Sequence, residues 1–377
     1  MITRRMALGA SMGAAAAALA PGDAFARVAA SSVLTDAMAG TQTPGMAALV
    51  IRNWRAEREM VAGVRKLGDP TPVARGDRWH LGSDGKAMTA TLVAHAVEQG
   101  ALSWTSRLDQ LLPDLAAVMH PSYRDVTLPD LLSHRSGLPE NIVDIEKFFA
   151  FYGDPAPPRE QRSRYLAEAL TDPPVVEKRT TQSYSNTGLL AAGAAVERAM
   201  GDAFEALIGR HVFTPLRMRS VSLDPYGGSR EPRGHVDGRI ADQERDANPR
   251  FFAPAGNFRM TLNDWSRFCI DHLNGERGRG RLLRQESYRF LHTPQGETTA
   301  ALGWGRQERA AGRQGPVLVH AGSDGNWFAL VMLFPATGEG VLVAANAGES
   351  MGGDAAGLGT LRALAATVSR PAETPAQ

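Results

Sequence analysis

The chain has 377 residues, of which 43% are hydrophobic and 21% charged, with a formal net charge of +1. This is the balance of a globular protein with ample core material, and the lack of a Lys/Arg block or a basic stripe with aromatics argues against nucleic acid as a partner. One cysteine, Cys269, excludes an intramolecular disulfide and a cysteine-based metal site, and the nine histidines show no zinc-ligand spacing, so neither metal nor cofactor is expected.

Residues 1–26 read as an export signal. Arg4-Arg5 precede a run of small apolar residues, 6–20, too short and too rich in Ala and Gly to span a membrane. Ala24-Phe25-Ala26 is an A-x-A cleavage site. The context Thr3-Arg4-Arg5-Met6-Ala7-Leu8 is similar to a twin-arginine signal. The expectation is a mature chain from about residue 27, without an integral membrane segment, in the periplasm or secreted.

Residues 28–39 predict a helix. Residues 46–51 and 58–64 predict strands, joined across the polar link 53–57 as a hairpin, and 68–76 reads as a loop. Trp79-His80-Leu81-Gly82-Ser83 reads as a strand end and a glycine joint. A helix should follow through Glu98 and stop at Gly100. That helix is apolar or small on nearly every face, which predicts burial.

From residue 102 to about 295, helical segments and loops dominate. Thr127-Leu128-Pro129-Asp130 is a helix start, with Thr as N-cap and Pro in the first turn. Residues 187–200 predict a helix ended by Gly201. Residues 203–213 and 262–273 predict amphipathic helices, the latter capped by Thr261 and stopped by Gly275. Strand patterning returns at 317–320, 327–334 and 341–346, and a helix over 358–368 closes the chain. Strands at both ends with helices between predict one domain of α/β (α+β) class over residues 27–377. Its largely antiparallel sheet should be built from about 27–100 and 300–370 and flanked by helices. A large all-helical insertion should occupy about 101–299.

Three short segments carry groups suited to chemistry. Ser83 and Lys86 stand one helical turn apart on a helix expected to be buried, so the Lys86 amine can reach the Ser83 hydroxyl. Poor hydration lowers a lysine pKa, and a neutral amine beside a serine makes it nucleophilic. The helix N-terminus adds amides suited to an oxyanion. Tyr184-Ser185-Asn186 precedes an apolar helix: the phenol can shuttle a proton and the amide can hold a substrate amide. His320-Ala321-Gly322-Ser323 ends a strand, where small residues let a substrate approach, and the Ser323 N–H can join the Ser83 N–H as a second oxyanion donor. Each segment also has a plain structural reading: a surface lysine, a helix-capping Asn with a surface Tyr, and a β-turn. Gly322-Ser323-Asp324-Gly325 repeats Gly82-Ser83-Asp84-Gly85, but Asn326 stands where Lys86 follows the first copy, so Ser323 has no local amine.

Together these segments resemble the serine β-lactamase and penicillin-binding-protein superfamily on its class C-like side, which also holds D-peptidases, D-aminopeptidases and esterases. The resemblance rests on Ser83-x-x-Lys86, Tyr184-x-Asn186 and His320-x-Gly322 in the family's order. The flanks Thr43-Pro44-Gly45-Met46, Leu131-Leu132-Ser133-His134-Arg135-Ser136-Gly137-Leu138-Pro139 and Pro254-Ala255-Gly256-Asn257 also match. It implies that Ser83 forms an acyl-enzyme, that Lys86 and Tyr184 manage protons, with either as the base, and that Asn186 holds a substrate amide. The amides of Ser83 and Ser323 would hold the oxyanion, and the strand bearing His320 and Gly322 would dock the substrate.

Two positions depart from the family pattern. His320 stands where the lactamases usually have Lys, which resembles the peptidase and esterase members. An imidazole titrating between about 6 and 7 would grip a substrate carboxylate only when charged. Asp84-Gly85 lies inside the nucleophile motif; the glycine costs up to about 1 kcal/mol in a helical turn, and an aspartate anion would oppose an oxyanion. The expected function is an exported serine hydrolase acting through an acyl-enzyme on an amide or ester of a small molecule or peptide. The alternatives are a true β-lactamase and a penicillin-recognising sensor that acylates without turnover.

Overall fold

The computed structural model describes residues 32–57, 59–225 and 227–368. The signal expected at 1–26, the start of the helix expected at 28–39, Arg58 of the second expected strand and the last residues of the chain lie outside these. The strands are β1 (Gly45–Arg52), β2 (Met60–Lys66), β3 (Asp69–Pro72), β4 (Gly305–Ala310), β5 (Arg313–Ser323), β6 (Phe328–Phe334) and β7 (Glu339–Ala345). They form one antiparallel sheet in the order β3-β2-β1-β7-β6-β5-β4, with the two-residue strand Arg55–Ala56 added to β1. The two ends of the chain meet in its middle, where Met46 of β1 pairs with Ala345 of β7 and Ile51 with Gly340.

The period-two alternation of β1 explains the layers. Successive strand side chains point to opposite faces. Met46, Ala48 and Val50 enter a core with Leu34, Val343, Leu361 and Leu364, under the terminal helices α1 (Ser32–Met38) and α5 (Gly353–Val368). Ala47, Leu49 and Ile51 enter a second core with Leu92, Trp265 and Leu342, under the helical half. Coverage on both faces is why β1 and β7 read as near-continuous apolar runs.

The helical half is organised by α2 (Lys86–Glu98), α3 (Asn186–Met200) and α4 (Leu262–Gly275). Every α2 residue from Lys86 to Ala94 is buried, as its composition predicts. The Ser185 hydroxyl caps α3 by accepting the Gly188 N–H at 3.1 Å, and Gly201 ends it at φ +75°. At the helix start expected there, Thr127 and Asp130 form a capping box, and Thr261 caps α4 through the Asp264 N–H.

The structure differs from the sequence reading in four places. Residues 69–72 of the expected loop pair as β3. β4 was not legible, because its mid-strand residues Gln307, Glu308 and Arg309 are exposed and polar at the sheet edge, where charge discourages pairing with another chain. It joins β5 through Ala311 and Gly312, both at positive φ, as a tight hairpin requires. The helix expected at 203–213 divides into Phe204–Ile208 and a wider π turn, Gly209–Phe213. The insertion is not entirely helical: Arg259–Met260 pairs with Trp79–His80, and His235–Val236 pairs with Arg239–Ile240.

The two halves touch backbone to backbone where β5 ends. A Cβ on Gly322 would lie 2.7 Å from the Ser83 amide nitrogen and 2.8 Å from that of Asp84. One on Gly82, which sits at φ +50°, would lie 2.8 Å from the Gly322 carbonyl carbon. Gly322→Ala is therefore expected to destabilise the protein by about 1–3 kcal/mol, the usual cost of overpacking. Denaturant unfolding checks this, and an unchanged midpoint would contradict the contact.

Candidate active site

Ser83 lies in a 3₁₀ turn, Gly82–Gly85, that leads into α2. A 3₁₀ turn eclipses positions i and i+3, which places Lys86 Nζ 2.9 Å from Ser83 Oγ. Two features hold the turn. The Leu81 N–H bonds the Phe258 carbonyl at 2.8 Å, and the Phe258 ring fills the space a Cβ on Gly85 would take. Packing against that ring explains a glycine that is unfavourable by local propensity.

The Lys86 ammonium group is fully buried. Besides Ser83 it meets Asn186 Oδ1 at 2.8 Å and the Ala255 carbonyl at 2.6 Å. Neither oxygen can donate. A neutral amine has two hydrogens, which these oxygens satisfy, and its lone pair is left for the Ser83 hydroxyl. Burial pushes the Lys86 pKa down to about 7, against a smaller opposing influence from Glu140 and Asp84.

Tyr184 and Asn186 flank the cap of α3, so one helix start aims both at Ser83 and Lys86. Tyr184 Oη lies 2.5 Å from Ser83 Oγ. Burial raises the phenol pKa, against a smaller lowering by the Ser83 hydrogen bond, so the group stays protonated. Asn186 is oriented by its own amide, whose Nδ2 donates to Asn141 Oδ1 at 3.3 Å and Glu140 Oε1 at 3.5 Å. The helix cap is Ser185 and Asn186 is buried, which departs from the plain reading of a capping Asn; the half-buried Tyr184 turns its hydroxyl to Ser83.

At the end of β5 the Gly82–Gly322 contact brings the Ser83 and Ser323 backbones together. His320 and Asp84 depart from expectation. Burial and the nearby Lys86 push the His320 pKa down to about 3, so the ring is neutral across the physiological range and does not charge between 6 and 7. Asp84 is buried with no hydrogen-bond partner for either oxygen. Burial raises its pKa well above the usual carboxylate range, which disfavours the anion expected to oppose an oxyanion.

Two residues were missed as contributors by the sequence reading. The His134 ring stacks on Tyr184 with centroids 4.6 Å apart, and its Nδ1 accepts the Ser185 N–H at 3.1 Å. Burial, with Lys86 and His320, pushes its pKa down to about 3. The Glu140 carbonyl accepts the Asn186 and Thr187 N–H groups, and its carboxyl pKa is raised by burial. Both lie in or next to the segment 131–139, whose spacing alone carries no chemical signal. Among the described residues no group of His, Cys, Asp and Glu is arranged to hold a metal ion, and no helix is long and apolar enough to cross a membrane.

Asn186→Asp should raise the Lys86 pKa by roughly one unit or more, because an anion would replace a neutral oxygen at hydrogen-bond distance. The check is the pH at which a fluorophosphonate labels the protein at half its maximal rate. An inflection that does not move upward would show that Nζ does not feel position 186.

The arrangement has counterparts among known proteins. The sequence profile of the Beta-lactamase family matches residues 30–366. Penicillin-binding protein 4 of Amycolatopsis lactamdurans is 28% identical over 313 residues, covering 77% of each chain. The lovastatin esterase of Penicillium rubens is 30% identical over 173 residues, covering 42% of each chain. A D-stereospecific amidohydrolase from Streptomyces shares the fold with a TM-score of 0.70 at 19% identity, over 86% of this chain and 97% of that one. With a family match across most of its length and a sheet-and-helix architecture shared with the amidohydrolase, this chain belongs to the Beta-lactamase family.

Proposed function

We propose that the protein is an exported serine hydrolase that cleaves an amide or ester through an acyl-enzyme on Ser83. The observation that carries the reading is the Lys86 amine, sealed from water, 2.9 Å from Ser83 Oγ and bonded to the Asn186 and Ala255 oxygens; in its neutral form the two hydrogens go to those oxygens and the lone pair is left for Ser83. Between the two candidate bases, Lys86 is favoured. Its pKa lies near 7, whereas the Tyr184 phenol is held protonated. The esterase among the relatives supports hydrolysis, and the motif around Arg4-Arg5 with Ala24-Phe25-Ala26 supports export.

In the proposed first step Ser83 Oγ bonds the substrate carbonyl carbon while its proton passes to Lys86 Nζ. The carbonyl oxygen becomes an oxyanion held by the Ser83 and Ser323 amides. Collapse breaks the bond to the leaving group, which takes a proton from Lys86 directly or through Tyr184. Water then attacks the acyl-enzyme and gives its proton to Lys86; collapse breaks the bond between the acyl carbon and Ser83 Oγ, Lys86 returns the proton to Oγ, and the acid leaves. Asn186 accepts from Lys86 through Oδ1 and is held for that role by Asn141 and Glu140, which take its amide hydrogens. A hydrolase of β-lactams is a weaker second reading, because a neutral His320 lacks the charge that holds a carboxylate.

Ser83→Ala is expected to abolish fluorophosphonate labelling and turnover, and labelling at the wild-type rate would overturn the assignment. Ser323→Ala should keep most activity, since its backbone N–H remains. Lys86→Ala should slow acylation by at least about a hundredfold, with circular dichroism confirming the fold. In the wild type the neutral amine is the active form, so the labelling rate should rise tenfold per pH unit below about 7 and level off above it. A rate independent of pH from 5 to 9 would remove Lys86 as the base.

A further inference from the structure

The nucleophile motif occurs twice in a longer form. His80-Leu81-Gly82-Ser83-Asp84-Gly85 and His320-Ala321-Gly322-Ser323-Asp324-Gly325 agree at five of six positions. The two copies pack against each other and exchange partners. His80 Nδ1 lies 3.7 Å from Asp324 Oδ2, and His320 Nδ1 lies 3.7 Å from Asp84 Oδ1.

The two rings nevertheless carry their protons on opposite nitrogens. His80 Nδ1 accepts the Gly82 N–H at 3.2 Å, so the neutral His80 ring holds its hydrogen on Nε2. His320 Nδ1 lies 2.9 Å from the Ala321 carbonyl, which can only accept, so this ring holds its hydrogen on Nδ1. Asp84 Oδ1 adds a second oxygen on the same edge. The opposite edge of the His320 ring therefore presents the Nε2 lone pair. That nitrogen has no protein partner and, unlike both Asp84 oxygens, is not closed off from solvent.

We propose that His320 is a specificity-determining residue that offers the substrate an acceptor. The preferred amide or ester then carries an uncharged hydrogen-bond donor, an amide N–H or a hydroxyl, near the reacting carbonyl, and not a carboxylate. The proposal rests on the reading of Ser83 as the nucleophile. The charged and titratable groups around the ring are Asp84 from the nucleophile turn, Lys86 from α2 and His134 from the segment before α3. None of these groups supplies a favoured anion to hold a cationic donor, since burial disfavours the Asp84 carboxylate, which leaves the uncharged donors. Because burial and Lys86 push the His320 pKa down to about 3, the acceptor persists across pH 5–8.

Two matched series of p-nitrophenyl-type esters test this, with the variable group on the acyl side in one and on the leaving group in the other. The group is a primary carboxamide, its N,N-dimethyl analogue or a carboxylate. In at least one series kcat/KM for the carboxamide should exceed both analogues by about tenfold, the scale of one hydrogen bond against a stranded partner, and the ratio should be flat from pH 5 to 8. His320→Ala should level the three, and His320→Lys should turn the preference toward the carboxylate. Long-range ¹H–¹⁵N spectra of ¹⁵N-histidine protein give an independent readout: His320 should show the Nδ1–H pattern, with His80 as the Nε2–H reference in the same spectrum. A preferred carboxylate, a ratio that falls between pH 6 and 7, or an Nε2–H pattern at His320 would overturn the proposal. Fluorophosphonate labelling run in parallel separates the two failures. Intact labelling without a donor preference refutes only the role of His320, whereas lost labelling refutes Ser83.

Discussion

A lysine amine with no water around it is the constraint the site is built on. Removing an ammonium from water is unfavourable unless the group is paired or loses its charge. Here no carboxylate is bonded to it. Two carbonyl oxygens and a hydroxyl receive Lys86, drawn from the start of α3, from the segment at Ala255 and from its own turn. The carboxyls that influence it, Glu140 and Asp84, have their own pKa values raised by burial, and their pull on the Lys86 proton is smaller than the opposing effect of burial. A lysine in this setting titrates near neutrality, where it takes and returns a proton with little driving force lost either way.

The same low-charge environment extends across the cleft. His134 and His320 are both held neutral by burial and by Lys86, Tyr184 keeps its proton, and burial raises the Asp84 pKa well above the usual carboxylate range. Interactions with a developing oxyanion are stronger where neither water nor competing charge is present. The donors proposed for that oxyanion are backbone amides, and their position depends on two glycines. Gly82 and Gly322 allow the nucleophile turn and the end of β5 to approach more closely than any side chain would permit.

The three-layer architecture supplies the rigidity this geometry requires. β5 is held between β4 and β6, and the nucleophile turn is tied to the Arg259–Met260 strand through Trp79–His80. Trp79 and Trp327 pack edge to face at 6.1 Å behind the contact. The reacting groups thus sit at the junction of sheet and helical half, on ends of elements whose positions are set by both cores.

By itself the sequence determined the elements whose evidence is local: the buried helix after Ser83, the caps at Thr127 and Thr261, the stop at Gly201 and the central apolar strands. It also singled out the residues of the candidate site, because Ser83 and Lys86 are one turn apart and Tyr184 and Asn186 flank one helix start. Tertiary structure alone decided their electrical states. Whether His320 charges near neutrality depends on how much water and which cations surround it. Those neighbours come from α2 and the segment around His134, far away in the chain. The same holds for Asp84, read as an anion from its type, whose pKa burial raises well above the usual carboxylate range. The edge strand β4 and the role of Gly85 were likewise invisible, since an exposed strand carries no apolar alternation and a glycine packed under Phe258 has a reason only once Phe258 lies above it.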